Sequence, residues 1–256
     1  MTKQGSIKRK VSAKRRVQPR VEPEPTIEVN GERLMPTVMG ALYWPERNAL
    51  IVADLHFEKG SSYARHGTLL PPYDTRTTLK RLAVLCRRFE PDHVISLGDA
   101  FHDQGAEQRM DDEDAGLLEQ LMIDRKWTWI LGNHDPEPPM RFAGTVEASL
   151  RLGRLILRHE PSQPYEAGEL AGHLHPCAKV KADTRTIRRR CFATDGIRMV
   201  LPAFGAYAGG LNILDEAFLP IFDDVTAWVL GGKGVYAFNK AVLVPDEPAF
   251  LEGKRA

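Results

Sequence analysis

Apolar residues along this chain fall first into short strand-like runs and then into one clear helical period. Thr26-Ile27-Glu28-Val29 alternates and meets Asn30-Gly31, the pattern of a strand entering a tight hairpin. Ala41-Leu42-Tyr43-Trp44 and Ala49-Leu50-Ile51-Val52-Ala53 flank Pro45-Glu46-Arg47-Asn48, a second strand–turn–strand unit. Over residues 74–89 the period changes. Leu79, Leu82, Ala83, Cys86 and Phe89 recur at helical spacing, while Arg76, Lys80 and Arg87 form an opposite, solvated face. A buried strand follows at His93-Val94-Ile95-Ser96-Leu97. A helix is predicted over 112–124, where Asp111, Asp112, Glu113 and Asp114 suit the positive end of its dipole. Trp127-Thr128-Trp129-Ile130-Leu131 reads as a further strand. Beyond residue 145 short strands dominate, at 155–158, 179–181, 191–193 and 199–201, with Thr194-Asp195-Gly196 as a hairpin turn. Strand–helix–strand units followed by a strand-rich half predict an α/β sandwich of two sheets with outer helices.

Composition narrows the class. At 256 residues, 43% apolar and 27% charged, the chain suits one large globular domain or two small ones. No run approaches the roughly 18 apolar residues of a membrane-spanning helix. The basic N-terminus has no apolar stretch behind it, so no secretory signal is expected. Cys86, Cys177 and Cys191 are odd in number and lack CxxC spacing. That usage fits a reducing cytoplasm, hence a cytoplasmic location, and excludes a disulfide framework or thiolate zinc site.

The formal charge of +1 hides an asymmetry. Residues 1–20 carry eight basic side chains and no acid. Removing those eight from the 35 Lys and Arg leaves 27 against 34 acids, a body of net −7. With almost no apolar content and the Pro-rich Val21-Glu22-Pro23-Glu24-Pro25 at its end, 1–25 is expected to be a disordered basic tail. It is either a solubilising extension or a flexible arm for a polyanion. The folded domain is placed at 26–240, with 241–256 a C-terminal extension.

Candidate chemistry gathers where predicted strands end. Asp54-Leu55-His56 follows one strand, Gly98-Asp99 the next, and Gly132-Asn133-His134-Asp135 comes just past a third. Later come Arg158-His159-Glu160-Pro161 and Gly172-His173-Leu174-His175. Strand C-termini are where open α/β sheets bind ligands. Extended-chain alternation would aim Asp54 and His56 to one side with Leu55 in the core, and would pair His173 with His175 likewise. The Asp, Asn and His donors suit Mn²⁺, Fe or Zn²⁺.

The ordered set D-x-H, GD, GNHD, a single His and GHxH resembles the signature of the calcineurin-like metallophosphoesterases, with every element present over residues 54–175. The stretches Ile51-Val52-Ala53-Asp54-Leu55-His56-Phe57-Glu58-Lys59-Gly60, Arg158-His159-Glu160-Pro161, Gly172-His173-Leu174-His175-Pro176 and Leu201-Pro202-Ala203-Phe204-Gly205-Ala206-Tyr207 look like one branch, the ligase-associated DNA-damage-response endonucleases of the PdeM group. The match spans about residues 35–235. It implies a four-layer α/β/β/α sandwich with two mixed sheets.

Carried over residue by residue, the resemblance implies two divalent ions, Mn²⁺ expected. Asp54, His56, Asp99 and His175 would hold one; Asp99, Asn133, His159 and His173 would hold the other, with Asp99 bridging. Such ions sit about 3.5–4 Å apart, generate hydroxide at neutral pH and neutralise phosphate charge, so no Ser or Cys nucleophile is needed.

Three residues after Asp99, where protein serine/threonine phosphatases of the superfamily carry Asp followed by Arg, this chain has His102 and no Arg. That disfavours a protein phosphatase and is similar to Mre11-type nucleases. His102 and His134 would then touch the phosphate or assist the leaving oxygen, as catalytic residues. Lys179, Lys181, Arg185, Arg188, Arg189 and Arg190 follow the GHLH loop. They form a candidate nucleic-acid-binding cluster or a solvated hairpin face. Tyr63, Tyr73 and Tyr207 are candidates to stack on bases, against a default of packing.

The expected activity is phosphodiester hydrolysis on DNA, single-stranded above all. The branch implies a repair setting with an ATP-dependent DNA ligase and a helicase as functional neighbours, and no membrane partner. The alternatives are a nucleotide or cyclic-nucleotide phosphoesterase and a non-catalytic scaffold; scaffolds of this kind lose ligands, whereas all seven are present here.

Overall fold

A computed structural model of the chain describes residues 25–246 apart from 138, 183 and 184. The cationic stretch 1–24 and residues 247–256 lie outside the described residues. The architecture is two mixed sheets packed back to back.

The first sheet runs β1 (Ile27–Val29), β2 (Glu32–Pro36), β3 (Leu42–Trp44), β4 (Ala49–Val52), β5 (His93–Leu97), β6 (Lys126–Ile130) and β7 (Thr145–Glu147) in spatial order. β1 to β4 are antiparallel neighbours, and β4 to β7 are parallel. Asn30 and Gly31, both at positive φ, close the first hairpin as their Asn-Gly sequence predicts. β4 is buried at every position. Leu50 and Val52 face the helices and Ala49 and Ile51 face the second sheet, which is why it reads as an uninterrupted apolar run.

The connections carry helices α1 (Lys59–Arg65), α2 (Asp74–Phe89), α3 (Ala106–Arg109) and α4 (Asp112–Met122). Leu79, Leu82, Leu85 and Cys86 of α2 and Ala115, Leu118 and Leu121 of α4 pack on the outer face of the first sheet. Asp111 caps α4 by accepting from the Asp114 N–H at 2.7 Å. The polar side of α2 is not simply solvated. Arg76 pairs with Asp114 and with Glu113 at 2.9 Å, tying α2 to the acidic N-terminus of α4. Opposite charges thirty-seven and thirty-eight residues apart meet only through packing of the two helices.

The second sheet is built from β8 (Ser149–Leu152), β9 (Leu155–Arg158), β10 (Glu169–Ala171), β11 (Cys177–Ala182), β12 (Arg185–Thr194), β13 (Met199–Val200), β14 (Thr226–Leu230) and β15 (Val235–Asn239). Its order is β15-β14-β12-β13-β10-β9-β8, with β11 paired to β12. The turn at Thr194-Asp195-Gly196 joins β12 to antiparallel β13. Ile51, Ile95, Leu97, Leu157, Leu170, Phe192 and Leu201 fill the space between the sheets. The outer face of this sheet carries no α-helix among the described residues. Ile213, Phe218, Ile221, Phe222 and Leu243 cover it from irregular chain with a short 3-10 turn at Glu216–Phe218. Leu243 also bridges to Val180, so packed chain continues past residue 240. β7, β8 and β10 are strands of three or four residues and mixed polarity that leave little periodicity, whereas β14 and β15, also outside the predicted strands, are mostly apolar.

Candidate metal centre

Parallel strands set the place. β4, β5 and β6 of the first sheet and β9 and β10 of the second each end at one of the predicted motifs. Past their last residues the β4 and β5 loops stay tied rung by rung. His56 N donates to Asp99 O at 2.9 Å, Phe57 N to Ala100 O at 2.8 Å and His102 N to Phe57 O at 3.0 Å. From β13, Phe204 N and Gly205 N donate to Ala53 O and Asp54 O. A side chain on Gly205 would strike the Leu55 carbonyl, so this approach requires glycine.

The side chains converge as predicted, but extended alternation is not the cause. Asp54, His56, Asp99, His173 and His175 all lie in the left-handed region, with φ between 45° and 67°. Non-glycine residues rarely adopt it, and such strain concentrates where function requires it. Leu55 between the first two is 1% exposed and packs toward the helices.

Two donor clusters result. In one, His56 Nε2 lies 3.3 Å from His175 Nε2, and His175 Nε2 lies 3.3 Å from Asp54 Oδ1. In the other, Asn133 Oδ1 lies 2.9 Å from His159 Nε2 and 3.0 Å from His173 Nδ1, and the two imidazole nitrogens are 3.2 Å apart. Asp99 stands between. Its Oδ2 is 3.9 Å from His56 Nε2 and its Oδ1 is 3.4 Å from His159 Nε2.

This donor set fits divalent cations. Nitrogen and oxygen lone pairs face one another in close groups, among them Asp54–His56–His175 and Asp54–Asp99–His159, an arrangement that a cation would satisfy. His159 Nδ1 is 2.9 Å from Leu97 O, which assigns its proton there and leaves Nε2 free as a ligand. Burial, then the neighbouring charges of His175, Lys59, His102 and His134, push His56 down to about 2, so its ring is neutral and could offer a lone pair to a cation. Burial likewise lowers His173.

Asp135, quoted in the GNHD motif but given no role there, proves to be the organiser. Its carboxylate accepts from Asp99 N at 3.0 Å, Phe101 N at 3.1 Å and Gly132 N at 3.1 Å. Burial raises it to about 6 against those donors.

His102 and His134 stack beside the first cluster with centroids 5.0 Å apart. His134 Nδ1 lies 2.8 Å from His102 O, so its Nε2 faces the site, 3.9 Å from Asp99 Oδ2. Burial, then Lys59 and His134, hold His102 down to about 4. The charge of Lys59 also acts on His56 and His102; a lone lysine in a D-x-H-x-x-K stretch carries no signal of its own in the sequence.

The basic cluster divides. In the β11–β12 ladder Lys179 is opposite Arg188 and Cys177 opposite Arg190, so Lys179, Lys181, Arg188 and Arg190 share one face and Arg185 and Arg189 the other. Arg188 bonds Gly210 O and Asp246, and Arg190 bonds Ala203 O. Lys181, Arg185 and Arg189 are exposed. Of the tyrosines, Tyr207 donates to Pro71 O at 2.8 Å, whereas Tyr63 and Tyr73 are 40% and 66% exposed.

Back-to-back mixed sheets with an imidazole–carboxylate cluster where their parallel strands end define a metallophosphoesterase. The family model for Calcineurin-like phosphoesterase matches residues 48–186. The structure of Pseudomonas putida nuclease MPE is similar at 30% identity, over 84% of this chain and 100% of that one, with a TM-score of 0.64. Yfce, a phosphoesterase from E. coli, matches at 14% identity over 75% of this chain and 98% of that one, with a TM-score of 0.40. No curated protein matches the sequence. The chain belongs to the calcineurin-like phosphoesterase family and is a hydrolase acting on phosphoric ester bonds. No helix among the described residues is long and apolar enough to cross a membrane.

Proposed function

We propose that the protein is a DNA endonuclease, acting above all on single strands, whose two divalent ions, Mn²⁺ expected, are held by Asp54, His56, Asp99 and His175 and by Asp99, Asn133, His159 and His173. The observation that carries the reading is Asp99, whose two carboxylate oxygens face different imidazoles, His56 and His159. The 30% identity to a nuclease across its whole length supports the choice of substrate.

When bound, the ions supply Lewis acidity toward phosphate oxygens and lower the pKa of water. The chain does the rest. Asp135 fixes the Asp99 loop, and the Leu97 carbonyl fixes the ring of His159. His102, neutral because burial holds it down to about 4, donates a hydrogen bond to the departing oxygen, and His134, oriented through Nδ1, contacts the phosphate. Lys179 and Lys181 on one face of the β11–β12 ladder, or Arg185 and Arg189 on the other, are the candidates to track the nucleic-acid backbone. A cytoplasmic repair setting beside an ATP-dependent ligase and a helicase completes the proposal.

Mn²⁺-loaded protein assayed on circular single-stranded DNA, duplex DNA, cyclic nucleotides and bis(p-nitrophenyl) phosphate tests it. Internal cleavage of the circle is expected, and Asp99→Ala should abolish it while lowering bound metal. Turnover of cyclic nucleotides alone would overturn the nuclease reading, and full metal loading of Asp99→Ala would overturn the shared-ligand site.

A further inference from the structure

Helix α1 brings two side chains to the rim of the metal centre that the hydrolytic chemistry does not use. Lys59 is half-buried, and its charge reaches Asp99, His56 and His102. Its ammonium forms no ion pair among the described residues; its Nζ lies 5.9 Å from the centroid of the Tyr63 ring. Asp74, whose charge also acts on Lys59, is occupied in accepting the Gly60 N–H at 2.9 Å. A partly desolvated ammonium that meets a ring face but no carboxylate is incompletely paired, and an anionic phosphate oxygen at the site would complete it.

Tyr63 is one turn along α1. Its ring is 40% exposed and lies 5.9 Å from His102, tilted by 36°. His102 in turn stacks on His134. The chain from α1 into α2 then exposes Leu69 at 85% and Tyr73 at 66%. A cation with no carboxylate partner beside exposed ring and apolar faces, next to His102, is complementary to a phosphate joined to a flat base.

We propose that α1 forms a nucleotide subsite beside His102, in which Lys59 pairs with a backbone phosphate and Tyr63 stacks on the adjoining base. This rests on the nuclease reading above and deepens it. The base must be free of a pairing partner to present its face, so the subsite selects single strands.

The test uses the full chain with Ca²⁺ in place of Mn²⁺ and single-stranded oligonucleotides carrying 2-aminopurine, whose fluorescence reports stacking. Wild type and Tyr63→Phe should bind and change the fluorescence alike. Tyr63→Leu, which keeps apolar packing but removes the ring, should lose the change and weaken binding about 5- to 150-fold. Lys59→Gln should flatten the slope of log K against log salt by about 0.7. With Mn²⁺, kcat/KM on single-stranded DNA should fall further in Tyr63→Leu than on bis(p-nitrophenyl) phosphate. Wild-type binding and fluorescence in Tyr63→Leu would overturn the subsite and leave the nuclease reading standing. A wild-type protein that hydrolyses the small diester yet neither binds nor cleaves DNA would overturn both.

Discussion

At the scale of single residues, the proposed reaction would have some side chains hold the cations and others meet the substrate. His102 is the informative case, because it stands 3.5 Å from His56 through their Nδ1 atoms and also belongs to a three-imidazole group with His134. If it serves the departing oxygen, His102→Ala should lower kcat on DNA about 10²- to 10⁴-fold with metal content retained. Loss on a p-nitrophenyl ester, whose leaving group needs no proton, should be much smaller. Elemental analysis and the two assays together decide; matching losses of metal and activity would make it a ligand. His93 offers a test away from the centre. It is 9% exposed, bonded to Thr128 at 2.8 Å, and burial followed by Lys126 lowers it from 6.5 to about 4. The unfolded chain therefore binds the extra proton below 6.5, so this contribution is complete above 6.5 and is lost as pH falls through 4. Denaturant unfolding in EDTA at pH 7.5 and 4.5 should show His93→Gln losing about 2–3 kcal/mol less than wild type on acidification.

At the scale of elements, a buried ion network supports the loops that carry His159, His173 and His175. Arg198 and Glu169 are each 1% exposed and paired, and Arg198 also donates to Ile221 O at 3.2 Å. Glu169 opens β10, the strand that ends at Gly172-His173. Its other oxygen accepts from Ser162 N at 2.7 Å and lies 3.3 Å from Arg158 Nε, so both flanks of His159 hang on one carboxylate. Removing Arg198 leaves the buried Glu169 carboxylate with Arg158 as its remaining cation. Arg198→Met should cost about 3–5 kcal/mol in denaturant unfolding, and adding Glu169→Gln, which removes the charge but keeps an acceptor for the Ser162 N–H, should recover part of it. Additive losses in the double variant would contradict the pairing. Sequence reading could not find this network, because Arg158 and Glu169 lie on β9 and β10 and Arg198 directly before β13, and they meet only through the parallel pairing of these strands.

At the scale of the whole molecule, charge is the open variable. A body of net −7 repels DNA at long range, and the eight cations of residues 1–20 offset that repulsion if they engage the strand. With about half of them engaged, deletion of 1–20 should flatten the salt slope for single-stranded DNA by roughly 3. Turnover of a small chromogenic diester should stay the same. Titrations at several salt concentrations measure it, and identical slopes would leave the segment without a binding role.

The sequence by itself determined the kind of chemistry and its location. Helix α2, strands β4, β5, β6 and β9 and the first hairpin follow from periodicity and Asn-Gly turn preference, because these are local properties. The site residues were legible because each motif sits at or just past a strand end, in an order that a family signature makes specific. Tertiary structure decided what depends on residues distant in sequence. It set Asp54 and His56 by left-handed backbone rather than alternation, and it made Asp135 an organiser of the Asp99 loop. It split the basic run between two faces of a ladder and drew Arg76 into a clamp on α4. It placed Tyr63, with Lys59 over its ring, beside His102, thirty-nine residues away in the chain. Local patterns fix which conformations are cheap, whereas these pairings exist only once packing of the two sheets has brought separate strand ends to one place.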